Sequence, residues 1–438
     1  MKYLCLLVLI FFSSCSRSIP HEQDEQLSGL YHRTQNKSMV TVNIIDRNGL
    51  TENIAAKDRV QSFEKVDFLA SQPYQKVLRI FAKDKSGKTI SVITSYYPSG
   101  QLKQYLEIVN GRANGPYCEW HANGKKKLDA TVIGGNPDID EKSQTGWSFD
   151  GPSKCWNEEG ILVAKILYDK GRLEGVSVYY HDNGVISETV PYHKGEIEGK
   201  VEVFDNKGVL VEETNYSQGN KEGKSFGYWA PSKLAWEEEW KADLLQKGTY
   251  VDAQGKIISQ VKSGSGKRAI FVEDSFSELQ EYKDGKPEGE VIIYDESGNI
   301  TRRLHVKHDH KHGEEIYYWP LKQVGDPLAP KLSIEWYQGK IQGLVKTWYE
   351  DGTQESQREM SHNAKQGVLM AWYRDGELML IEEYEKDLLK RGDYLKKGDA
   401  KPVSRVIDGK GTATFYDPDG TFLRRAEYKD GKPLESSH

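Results

Sequence analysis

Few residues in this sequence have types and spacing suited to chemistry. His305, His308, His310 and His312 form one dense run of imidazoles. Their chemistry would be metal ligation if the rings converged at about 2 Å on one ion. Residues 309–313 read as a turn between two hairpins, where a solvated His-rich turn is the simpler reading, so no metal and no other cofactor is expected. Gly264-Ser265-Gly266-Lys267 resembles a phosphate loop but lacks the G-x-x-x-x-G-K-[ST] spacing and a following helix. It is expected to be a turn. The acidic triplet Glu237, Glu238 and Glu239 reads as one solvated strand edge rather than an acid–base pair. No Ser/His/Asp or Cys/His arrangement goes beyond the presence of the residue types, so the chain is expected not to be an enzyme.

The elements that would hold such residues are thin. At 438 residues the chain could hold two or three ordinary domains, yet 37% is apolar, 11% is aromatic and 41 positions are glycine. That balance suits shallow sheets with many turns, where Tyr and Trp cover surface that Leu and Ile would fill in a deep core. Glycine follows no three-residue period and aromatics are plentiful, which excludes collagen and disorder. The formal charge is −6 with both signs interspersed, so no nucleic-acid partner is expected. Lys125, Lys126 and Lys127 follow a predicted hairpin tip and read as a solvated turn.

The first eighteen residues stand apart: Lys2, an apolar run from Tyr3 to Phe12, then Ser13-Ser14-Cys15-Ser16. A span that short does not cross a bilayer as a stable helix, so residues 1–14 read as a removable export signal. Small residues before Cys15 make this site resemble a lipobox, where bacterial lipoproteins are cleaved and the new N-terminal cysteine is acylated. Phe12 departs from that motif, which usually has Leu there. The resemblance implies a lipid on Cys15 and a place in the bacterial cell envelope, on the outer membrane if the cell is Gram-negative. Cys118 and Cys155 invite a disulfide in an exported protein. Strand alternation counted from their repeat glycines points them to opposite faces, so they are expected to stay unbonded.

Repetition sets the architecture. GRLEG, GEIEG and GNKEG begin at Gly171, Gly195 and Gly219, 24 residues apart. The last glycine of each motif is an anchor, and anchors fall at Gly115, Gly151, Gly175, Gly199, Gly223, Gly266, Gly289, Gly313, Gly343, Gly367 and Gly411. Five residues after each stands an aromatic: Trp120, Trp156, Tyr180, Phe204, Tyr228, Phe271, Tyr294, Tyr318, Trp348, Trp372 and Tyr416. Nine residues past most anchors comes a second glycine, often in D-x-x-G, as from Asp205 to Gly208. Asp at the first position of a type I turn, closed by a left-handed glycine, marks a three-residue hairpin loop.

The predicted fold is therefore all-β: an elongated, twisted antiparallel meander of about a dozen tandem β-hairpins over residues 96–435, preceded by a small non-repeat segment at 15–95. That segment should hold a hairpin around Arg47-Asn48-Gly49, a short helix within 55–70 and paired strands around Ser86-Gly87. The loop pairs Phe204 with Leu210, and counting on by twos puts Tyr216 on the same face. Tyr168, Tyr192, Trp240, Tyr282, Trp336, Tyr384 and Tyr428 are its equivalents, so two aromatic rows are expected on one face. Insertions at 134–146 and 320–330 should be loops on an edge. Residues 238–248 and 382–392 are near copies, 144 apart, and mark a larger duplication.

The pattern G-x-x-x-G, aromatic, turn glycine at 23 to 24 residues resembles the bacterial variant of the MORN repeat, the type found in some antitoxins. It departs from that pattern at Lys322 and in the compressed stretches 244–266 and 388–411. The resemblance implies a scaffold for protein contacts and, from eukaryotic members, membrane tethering. An antitoxin-like role is normally cytoplasmic, against which the export signal argues. The expected function is thus an exported, lipid-anchored scaffold for an unidentified protein partner, held at the membrane by its N-terminal lipid. An alternative is an envelope glycan binder that uses exposed rings as stacking platforms.

Overall fold

The computed structural model describes residues 29–30, 33–34, 37–272, 275–323 and 325–434. The expected signal segment and Cys15 lie outside the described residues. The chain divides into two compact units, Met1–Asn220 and Lys221–His438.

The first unit is an open antiparallel meander. Thr51–Ile54 pairs with Met39–Ile45, which pairs with Lys76–Phe81, then Ile90–Tyr96, Leu102–Val109, Arg112–Trp120 and Lys126–Val132. The ladder continues through Gly151–Trp156, Leu162–Asp169, Gly175–Tyr180, Ile186–His193, Gly199–Phe204 and Leu210–Ser217. The second unit repeats the design from Lys233–Lys241 to Phe422–Lys429, again antiparallel at every step. Among the described residues no pairing closes either ladder into a barrel. The expected hairpin at Gly49, the helix, here Lys57–Phe63, and the strands around Gly87 are all present.

Each repeat has two kinds of turn. At the tip, Gly208 takes φ 82° and its N–H bonds Asp205 O at 3.0 Å, while Asp205 Oδ1 accepts from Lys207 and Val209 N–H at 2.8 Å. A Cβ would be strained at that φ, hence the tip glycine. At the other end successive hairpins join through two residues that both have positive φ, such as Lys194 (54°) and Gly195 (93°). This is the type I′ geometry whose twist matches that of paired strands.

The two aromatic rows do not share a face. Phe204 does pair with Leu210, but Val203 pairs with Glu212, which leaves Val211 as an extra residue. This bulge reverses the alternation, so Tyr216 sits opposite Gly199, on the face away from Phe204. The same shift stands just before the first-row aromatic at Tyr180, Trp156, Tyr294, Trp348, Trp372 and Tyr416. Counting by twos allowed for the loop's own glycine but not for a second inserted residue. Units that carry both aromatics consequently place one ring on each side of a single-layer sheet, where both faces need cover, while Val132, Val306 and Met360 stand in the second row of the other units.

Packing is deeper where something lies over the sheet. Val42, Ile44, Val77, Phe81 and Tyr96 bury one face of the N-terminal strands beneath Val60 of the helix and Phe68. On the other face, residues 134–147 fold over Ile93, Leu106 and Tyr117 and bury Ile139 and Trp147 there. This insertion is a cover for the sheet face, not an edge loop, because its two apolar side chains find burial only on that face. Trp147 meets the Tyr117 ring edge-on at 4.6 Å, and Gln104 Nε2 donates to Ile139 O at 3.3 Å. The 320–330 insertion instead widens a hairpin tip, closed by Trp319 N–H to Ala329 O at 2.9 Å.

Candidate interaction surface

Neighbouring repeats are stitched at both ends. At the connector end the residue before several anchor glycines reaches into the next turn: Glu174 accepts from Lys194 N–H at 2.8 Å, Glu198 from Gln218 at 2.6 Å and Glu222 from Ala242 at 2.7 Å. This explains the Glu in GRLEG, GEIEG and GNKEG. At the tip end a ring next to the first-row aromatic donates to a carbonyl one repeat on. Tyr97 OH reaches Trp120 O at 2.8 Å, Tyr349 OH reaches Trp372 O at 2.7 Å and Trp229 Nε1 reaches Val251 O at 3.0 Å. His181 Nε2 lies 2.9 Å from Phe204 O in the same role. Burial pushes the Tyr349 hydroxyl up to about 12. Sequence reading missed these stitches, although the signal was there in consecutive rings such as Tyr180-His181 and Trp348-Tyr349.

Among the described residues of the second unit three glutamates are buried. Glu238, 1% exposed, receives Tyr250 OH at 2.7 Å, Trp240 Nε1 at 3.0 Å and Arg268 Nε at 2.6 Å. The expectation of a solvated acidic edge fails here, because the strand register turns Glu238 inward while Glu237 and Glu239 pair outward with Lys224 and Lys247. Gly248 lies directly across from Glu238, and the Tyr250 ring folds back over it to reach the carboxylate. A Cβ on Gly248 would lie 2.3 Å from Tyr250 Oη. Glu382 repeats the arrangement with Gly392 opposite, Tyr394 OH at 2.7 Å and Tyr384 OH at 3.0 Å. Glu315, 0% exposed, is held by Arg302, Lys311 Nζ at 3.0 Å and Trp336 Nε1 at 2.6 Å. Burial pushes the Tyr250 and Tyr394 hydroxyls well above the ordinary tyrosine range, and the facing carboxylates push them further.

The other candidate residues stay apart. His308 is one of two positive-φ residues in a type I′ turn, His305 Nδ1 lies 3.5 Å from Glu314 O, and His312 packs against the Tyr337 ring at 5.3 Å. Among the described residues no three His, Cys, Asp or Glu side chains gather as ion ligands. Ser263 and Gly264 form a two-residue turn between paired strands, and a strand follows it. No disulfide joins Cys118 and Cys155, and the register puts them on opposite faces as expected. Burial pushes the Cys118 thiol up to about 12. First-row and second-row rings are buried or half-buried along the ladder. Among the described aromatics, Tyr337 and Phe422 stand out into solvent.

Among the described residues, Phe422–Lys429 pairs with Lys410–Tyr416 along one edge, while on its other edge residues 432–434 cover Glu427, Tyr428 and Lys429. Phe422 is 54% and Leu423 60% exposed. Strand edges of this kind accept an added strand, so such a repeat ladder is a scaffold suited to protein contacts. No described helix is long and apolar enough to cross a membrane.

A family model described as "MORN repeat variant" matches residues 173–194 and 287–308, which supports a MORN-repeat assignment for these stretches. No curated protein matches the chain. A solved structure of TcdB2-TccC3 without its hypervariable C-terminal region is similar at 12% identity over 93% of this chain, with a TM-score of 0.12. The chain spans 25% of that protein's length. A porin-like protein from Bacteroides uniformis is similar at 10% identity over 55% of this chain and 94% of its own, with a TM-score of 0.14. Scores this low carry no weight for fold or function.

Proposed function

We propose that the chain is an exported, lipid-anchored scaffold that presents its hairpin ladder to a protein partner at a bacterial envelope membrane and performs no catalysis of its own. The strand Phe422–Lys429, with Phe422 and Leu423 in solvent, carries this reading. Among the described residues its backbone over 422–426 has no strand partner on the edge away from Lys410–Tyr416 and lies beside apolar side chains, which is what strand addition uses. The lipobox-like Ser13-Ser14-Cys15 supplies the anchor, since lipoprotein processing adds enough acyl chains for stable attachment.

Two measurements test this. Cys15→Ser should move the protein from the membrane pellet to the soluble fraction, and unchanged pelleting removes the anchor. A photocrosslinker at Leu423 should give a discrete protein adduct in cells, whereas one at Leu50, which is 70% exposed in the first unit, should not. Equal labelling at both positions, or none at Leu423, removes the docking edge.

A further inference from the structure

In the strand Lys76–Phe81, Val77, Arg79 and Phe81 alternate as the buried face. Arg79 therefore occupies a place where the pattern calls for an aliphatic side chain, and it is 6% exposed. Its guanidinium lies over the Phe68 ring, 4.5 Å from the ring centre. Nε and Nη2 have no hydrogen-bond partner among the described residues. These two nitrogens form one edge of the guanidinium, the fork that fits a carboxylate. Tyr105 lies on the same sheet face, since Arg79 pairs with Val92 and Thr94, two residues on, pairs with Tyr105. Its hydroxyl is also without a partner among the described residues.

Arg79 and Tyr105 are among the residues lining a cavity of about 420 Å³, inside the range of about 300–1,000 Å³ usual for small-molecule sites, and their unpartnered atoms lie just beneath its wall. Leu30, Met39, Phe63 and Phe81 supply apolar wall, and Lys37, Lys65, Glu64 and Asp67 the charged part of the lining. Asp67 adds its charge near Arg79 without a hydrogen bond to Nε or Nη2. Asp67 Oδ1 accepts from Leu69 N–H at 2.9 Å, and Glu107 takes Arg33 through Nε at 2.7 Å and Nη2 at 3.1 Å. A guanidinium stays charged at physiological pH, and a buried charge without a hydrogen-bonded partner is unfavourable.

We infer that this cavity binds a carboxylate carried on an apolar stem, with the acid on Arg79 Nε and Nη2 and Tyr105 OH, and the stem against the aromatic and aliphatic wall. A fatty acid and the C-terminus of an apolar peptide share that chemistry. The inference is independent of the scaffold reading.

Calorimetry on the full chain tests it with octanoate against octanol, and with an apolar hexapeptide as free acid against its C-terminal amide. At least one acid should bind ten-fold or more tighter than its neutral counterpart, and the pair that shows it identifies the source. Arg79→Met should abolish the preference while leaving binding of the neutral ligand. Tyr105→Phe, which deletes one oxygen, should weaken the acid several-fold and the neutral ligand not at all. Acid and neutral forms binding alike, a preference that survives Arg79→Met, or Tyr105→Phe weakening both forms equally would each overturn the proposal.

Discussion

Two stretches of the second unit, 144 residues apart, build the same lock and differ in two members, Trp240 against Tyr384 and an arginine present in the first alone. Glu238 and Glu382 each face a glycine, and each accepts a tyrosine hydroxyl that crosses over that glycine. Lys221 stacks on Trp240 at 4.8 Å in the first copy, and Lys365 on Tyr384 at 4.5 Å in the second. Only the first copy brings a guanidinium to the carboxylate. Arg268 is 2.6 Å from Glu238, and the place it holds after Gly266 is held by the buried Ala413 after Gly411. The shared part is therefore glycine, tyrosine and glutamate, and the cation is an addition to it. Glu315 extends the series with two cations, Arg302 and Lys311.

The comparison breaks most readily at Arg268. Arg268→Ala leaves Glu238 buried beside Tyr250 and Trp240 alone, and removing one partner of a buried pair costs about 3–5 kcal/mol. Urea unfolding followed by tryptophan fluorescence should show that loss, with Glu238→Gln in the same chain recovering more than half of it. A loss below about 1 kcal/mol, typical of an exposed pair, would mean that the two copies are energetically equivalent and that the guanidinium is incidental.

A finer distinction concerns the hydroxyls. Tyr394→Phe leaves Glu382 with Tyr384 as its remaining side-chain donor, whereas Tyr250→Phe leaves Glu238 with Arg268 and Trp240. Loss of a hydrogen bond to a buried charge is worth about 1–3 kcal/mol, and Tyr394→Phe should fall at the upper end, Tyr250→Phe at the lower. The reverse order in urea midpoints would place the strength of the first lock in its phenol rather than its cation.

How much of this could be read beforehand depended on whether one residue's position decided the outcome. Tip glycines, anchors and the Phe204–Leu210 pair were legible because loop chemistry is local: Asp205 and Gly208 define the turn that aligns them. Tyr216 was misplaced because one unpaired residue, Val211, reverses everything beyond it, and nothing in the chemistry of Val211 announces a bulge. Glu238 was misjudged for a related reason. Three consecutive glutamates look alike in sequence, and only register separates the one that faces Gly248 from the two that face lysines. Arg79 could have been noticed, since a cation at the centre of V-L-R-I-F breaks strict alternation. The cover formed by Ile139 and Trp147 could not, because strand periodicity says nothing about which face an insertion crosses.

The smallest effect separates Glu315 from the other two glutamates through pH. Burial alone would raise its pKa, but hydrogen bonds from Lys311 and Arg302 and their charges outweigh burial and hold the carboxyl below the ordinary 4.5. A carboxylate whose folded pKa is depressed contributes stability that is fully present above its unfolded pKa and fades as pH falls through the folded value. Stability of the second unit should therefore be level with respect to this group above about pH 4.5 and decline below it. Glu315→Gln cannot titrate, so its stability should be lower at neutral pH, with two cations left unmatched, yet flatter on the acid side. Urea midpoints taken from pH 7 down to pH 3 for both proteins would then converge as acid is added. Parallel curves would mean that Arg302 and Lys311 hold Glu315 no more tightly than solvent does, and the graded series from two cations to none would lose its upper end.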